Sequence, residues 1–155
     1  EDAAFTYPCL LAAESLAYVD GCLYHYRNNA QSMTAAFDPH LTETIFIPLD
    51  ILRTYFDTDK RALFAQYQMY AAYLLQLWVR NQASLDCDLD RKRMRQSCAR
   101  VCQNQELRAL LASVPGALPR QVAVAVRAVQ QQKPGQLYLL IKAWNLYYKL
   151  RNGRA

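Results

Sequence analysis

DKRALFAQYQMYAAYLLQLWVRN, residues 59–81, decides the fold class. Leu63, Tyr67, Tyr70, Leu74 and Leu77 recur at three and four residues, and Phe64, Ala71, Leu75 and Trp78 widen the stripe. That period fits an α-helix with a broad apolar face, the pattern of a helix buried at the centre of a helical domain.

The same period extends in both directions. Upstream, residues 40–56 form one amphipathic run, with Leu41, Ile45, Leu52 and Phe56 on one side and a kink expected at Pro48. Downstream, Leu85–Asp90 reads as a loop whose aspartates cap a strongly basic helix over 90–103, followed by a shorter helix over 105–113. Val114-Pro115-Gly116 and Pro134-Gly135 break the chain. Between them, 119–132 supports two readings. Val122, Val124 and Val126 alternate as in a strand. Pro119 at a helix start, and Val122, Val126 and Val129 at helical spacing, favour a helix. The last helix, 136–151, places Leu137, Leu140, Ile141, Trp144, Tyr147 and Tyr148 on one face.

The first 38 residues differ in character. Residues 3–15 read as a short helix, with Pro8 tolerable only near its start. Residues 16–27, LAYVDGCLYHYR, hold two β-prone runs around Asp20-Gly21, a hairpin signal. Residues 28–38 are small and polar and read as a loop. The expectation is therefore a mainly α chain in two parts. Residues 1–38 supply a helix, a hairpin and a loop, and 39–155 a helical domain of about five or six helices. Glu1 opens inside a helix start, as in a fragment of a longer protein.

Bulk properties narrow the functional classes. The 155 residues suffice for one domain with a core. The longest candidate for a membrane span, Leu137–Leu150, is interrupted by Lys142 and Lys149. Five cysteines, an odd number, argue against a disulfide framework and for a reducing, cytoplasmic setting. Cys98 and Cys102, with Cys87, lack the second ligand pair of a zinc site and read as buried thiols. Charge is sharply divided. Residues 1–90 carry five Lys or Arg against twelve Asp or Glu, while 91–155 carry thirteen against Glu106 alone. A half so basic is expected to meet an anionic partner. The absence of helix-turn-helix, zinc-finger or RNA-recognition spacing around Arg91, Lys92, Arg93, Arg95 and Arg100 argues against nucleic acid. Basic helices bearing aromatic residues suit an anionic membrane surface.

One ordered set of short motifs stands apart. Glu1-Asp2 with Phe5 comes first, then Leu10-Leu11, then Ala17-Tyr18-Val19-Asp20. Leu23-Tyr24-His25-Tyr26-Arg27 follows, then Ser32-Met33-Thr34. In order and spacing this resembles the C-terminal part of family 2, GT-A-type glycosyltransferases of the kind that build bacterial surface polysaccharides. The likeness covers about a fifth of the chain. It implies a fragment of an α/β enzyme that inverts the anomeric centre in one displacement. Asp2 would be the general base that takes the proton of the acceptor hydroxyl, and Glu1 its support or an acceptor ligand. Tyr26, Arg27 and Ser32 would lie against the substrate, with Arg27 closing over the diphosphate. His25 is a further candidate there, although a structural histidine is the commoner outcome of its alternation with Tyr24 and Tyr26. A carboxylate at a helix N-terminus suits the base role, because the helix dipole keeps it ionised.

The resemblance also implies a nucleotide-diphosphate sugar, a glycan or lipid-linked acceptor, a divalent Mg or Mn held mainly outside this chain, and a site at the inner face of the cell membrane. The family's metal-binding Asp-x-Asp follows an apolar strand. The strings here, Asp57-Thr58-Asp59, Asp86-Cys87-Asp88 and Asp88-Leu89-Asp90, sit at helix ends and read as caps. The chain alone is then expected to be inactive, and open to self-association through exposed core. The competing reading is a non-enzymatic, all-α interaction domain that uses its basic half to hold a partner or a membrane.

Overall fold

The computed structural model describes residues 2–21, 36–56 and 61–152, with side chains from Phe5 onward in the first stretch and from Leu63 onward in the third. Eight helices are formed among them: α1 (Asp2–Ala12), α2 (Leu41–Thr44), α3 (Ile47–Arg53), α4 (Arg61–Gln82), α5 (Arg91–Gln103), α6 (Gln105–Leu111), α7 (Arg120–Gln130) and α8 (Pro134–Asn152). The mainly α class holds.

The central helix is α4, as its period requires. Its deepest line runs through Ala71, Leu75 and Trp78, each fully buried, with Tyr67, Leu74 and Val79 beside them. Leu63, Tyr70 and Leu77 are only partly covered, so the face turns toward the residues that flank the expected stripe. The indole Nε1 of Trp78 donates to Thr42 Oγ1 at 3.0 Å, which satisfies the polar atom of the largest core side chain. Around α4 lie α6, α7 and α8, and α8 rests in turn on α5 and α7.

Local chemistry sets the helix ends. The Asp90 carboxylate accepts from the Arg93 N–H at 2.8 Å and starts α5. Asn104 closes α5 with its backbone N–H and opens α6 by accepting from the Leu107 N–H at 2.9 Å. The α7–α8 corner is a Schellman turn. Lys133 N–H donates to the Ala128 carbonyl, Gln132 N–H to that of Val129, and Gln132 sits at φ +51°. The ambiguous 119–132 segment is helical. Val122, Val126 and Val129 face inward and Val124 faces outward.

Four expectations are corrected. The single run over 40–56 is two helices, because Pro48 falls in the first turn of a new helix rather than kinking an old one. The final helix begins at Pro134, which also fits a first turn, instead of at 136. In α1 the helix runs through Pro8 despite the missing N–H. The hairpin is not seen. Residues 13–21 are irregular and exposed, no strand occurs among the described residues, and the second arm from Cys22 onward lies outside them. A lone two-stranded ribbon is marginal, and the described chain offers LAYV no sheet to join.

Candidate functional site

Of the residues assigned to catalysis and substrate, Glu1, His25, Tyr26, Arg27 and Ser32 lie outside the described residues. Asp2 is the first residue of α1, at the helix N-terminus as expected. The mounting of α1 can be followed through Tyr7. Its ring meets Phe56 edge-on at 6.1 Å and Tyr70 at 5.7 Å, so α1 is seated on the end of α3 and the side of α4. Phe56 stacks in turn on Tyr67 at 5.0 Å. Phe5, Leu11, Leu16, Tyr18 and Val19, by contrast, are exposed. The segment bearing the motifs thus has one anchored aromatic and a solvent side rich in apolar groups.

The second candidate is the basic surface. Arg91, Lys92, Arg93 and Arg95 all lie on the exposed side of α5, opposite buried Met94, Cys98 and Val101, as the sequence pattern requires. The structure separates them by partner. Arg100 pairs with Glu43 at 3.2 Å and Arg93 approaches its own cap, Asp90, at 3.9 Å. Among the described residues, Arg91, Lys92 and Arg95 have no carboxylate within ion-pair distance.

Arg91 and Arg95 line a cleft of about 720 Å³ against the start of α8, with Lys133, Gly135, Tyr138 and Leu139 on the far wall. The Arg95 guanidinium lies 5.3 Å from the centre of the Tyr138 ring and the Lys142 ammonium 5.7 Å from it. Two cations thus share one aromatic ring, whose π-electrons offset part of their repulsion. A shallower hollow beside it is lined by Arg91, Lys92, Arg95, Gln96 and Ala99. Sequence reading named the α5 cations but missed Tyr138, Lys133 and Lys142, because their role comes from the packing of α8 on α5.

The thiols fit the structural reading. Cys98 and Cys102 are free and buried, and burial pushes their pKa values up to about 12 and about 11. The proximity of the Cys102 thiol raises Cys98 further, while Arg108 draws Cys102 down slightly. Cys87 is half-buried, and burial raises it too. No group of three or more His, Cys, Asp or Glu side chains that could hold a metal occurs among the described residues. The cap reading holds for Asp90, whose carboxylate is held below its ordinary value by the backbone N–H of Arg93. It does not hold for Asp86 and Asp88, which lie within the loop between α4 and α5 and not at a helix end. Asp57 and Asp59 lie outside the described residues. No helix of the described residues is long and apolar enough to cross a membrane. No family model, curated protein or solved structure matches the chain.

Proposed function

We propose that the chain is the C-terminal portion of an inverting glycosyltransferase that moves a sugar from a nucleotide diphosphate to a saccharide or lipid-linked acceptor at the cytoplasmic face of the membrane. The observation that carries the reading is the ordered motif set over residues 1–34, opened by Glu1-Asp2. Two features of the molecule support it. Asp2 begins a helix that Tyr7 ties to the helical core, a mounting suited to a positioned base. The exposed apolar groups of residues 5–19 give that segment a surface to pack against a catalytic α/β region.

In this reading Asp2 accepts the acceptor's hydroxyl proton as the oxygen attacks the anomeric carbon and the diphosphate departs with the bonding electron pair. Glu1 orients the base or the acceptor, and Arg27 faces the charge that grows on the diphosphate. A divalent Mg or Mn would neutralise that leaving group. The described residues do not fit such an ion, so the reading places it elsewhere in the enzyme.

The test is Asp2→Asn in the intact enzyme. Turnover should fall by about 10²–10⁴-fold, the usual contribution of a positioned base, with donor binding little changed. Near-normal turnover removes the assignment. The basic cleft, which takes no part in this chemistry, favours a second reading in which the helical domain serves only to hold a partner.

A further inference from the structure

We propose that α8, together with the cleft it forms with α5, is a docking face for an anionic membrane surface, with α8 lying in the plane of the interface. The inference does not rest on the glycosyltransferase reading. It starts from an anomaly in α8. Leu137 and Ile141 face the core and are buried, yet the opposite side is also apolar. Leu139, Leu146, Tyr147 and Leu150 are 66, 57, 56 and 58 % exposed. With Ala143 they recur at three and four residues and form one continuous stripe toward solvent. A helix that is apolar on both sides needs a second apolar partner, and this one is too interrupted by charge to cross a bilayer.

The charges beside the stripe indicate which partner. Lys142 and Lys149, seven residues apart, share one flank of it, and Arg151 lies on the other. The helix contains no acidic residue, nor does any position from 107 to 155. At its upper end the stripe runs into the cleft, because Leu139 lines the same wall as Lys133 and Tyr138, facing Arg91 and Arg95. Apolar side chains, Tyr147 among them, thus run continuously into a set of cations that have no acidic partner among the described residues.

A bilayer interface offers acyl chains and phosphates side by side, separated by a few ångströms of depth. An in-plane helix meets it with Leu and Tyr inward and Lys and Arg reaching up to the head groups. Nucleic acid would match the cations but not the leucines. An acidic protein would need an apolar groove about 28 Å long to cover α8, from its rise of about 1.5 Å per residue.

The experiment is sedimentation of the chain with neutral phosphatidylcholine vesicles and with vesicles containing phosphatidylglycerol, at low and high salt. Binding is expected to the anionic vesicles and to weaken as salt rises. Neutralising Arg91, Lys92 and Arg95 to Gln should lower partitioning about fivefold per residue. Leu146→Gln with Leu150→Gln should lower it about tenfold per residue, even at constant charge. All substituted residues are exposed, so far-UV circular dichroism and the melting temperature should be unchanged. Equal binding to both vesicle types, or none to either, would overturn the proposal. So would full binding by the leucine variant, or tighter binding to a DNA duplex than to anionic vesicles.

Discussion

The phenol of Tyr67 donates its proton to the backbone carbonyl of Leu49, joining α4 to α3 inside the core. Glu106 Oε1 stands 3.5 Å from the same oxygen, and its Oε2 pairs with Arg53 at 3.2 Å, so α6 joins the network. Burial, and then the negative charges of Glu106 and Asp50, hold the phenol protonated well above its ordinary range. Tyr67→Phe keeps the ring stacked on Phe56 and removes only the donor. The expected loss is about 0.5–1.5 kcal/mol, read as a lower denaturation midpoint at unchanged m-value. Tyr67→Ala, which empties the ring's volume, should cost about 3–5 kcal/mol.

Trp78 and Thr42 offer a cleaner test of one buried donor. Thr42→Val keeps the shape and leaves the indole N–H without its acceptor at the centre of the domain. A loss of about 1–3 kcal/mol is expected in urea denaturation. No change would mean that the indole does not depend on Thr42.

Two positions with left-handed backbone should respond in opposite directions. Gly116 has φ +78° and open space where a Cβ would be, so Gly116→Ala introduces backbone strain without a clash. A loss of about 1–2 kcal/mol is expected. Gln132 occupies the same region with a side chain already present. Gln132→Gly should therefore stabilise the α7–α8 corner by up to about 1 kcal/mol. Melting temperatures of the pair check the sign.

The two buried thiols make stability depend on alkaline pH. Their folded-state values, about 12 and about 11, lie above the ordinary 9.0, so folding favours the protonated forms. That contribution is fully present below about pH 9 and is lost as pH rises toward 12. Cys98→Ala should flatten the decline measured by denaturation between pH 8 and 11. In the folded protein at pH 8, thiol-directed reagents should modify exposed Cys9 and leave Cys98 and Cys102 untouched until unfolding.

The helical class was legible because α4 repeats its apolar residues at three and four from Leu63 to Trp78. Burial on one side imposes that period whatever the neighbours are. Boundaries were less legible at prolines. Pro48 and Pro134 can end one helix or begin another, and only the packing around Leu49 and Leu137 decides. The first hairpin arm looked like a strand from β-prone Leu16, Tyr18 and Val19, but a strand needs a partner that local sequence cannot supply. For the cleft, Arg91 and Arg95 were visible as charge. Tyr138 was hidden, because an aromatic on a buried helix reads as core until its neighbours are known.

The burial of α4 has a consequence for light. The chain has two tryptophans, and they occupy unlike surroundings. Trp78 is fully enclosed, whereas Trp144 is half-covered on α8 and meets Tyr148 edge-on at 6.3 Å. Emission from Trp78 should therefore report the state of the core, and emission from Trp144 events along α8. With either indole replaced by phenylalanine, the remaining one becomes a local probe, so unfolding and surface binding can be followed separately in one molecule without an added label.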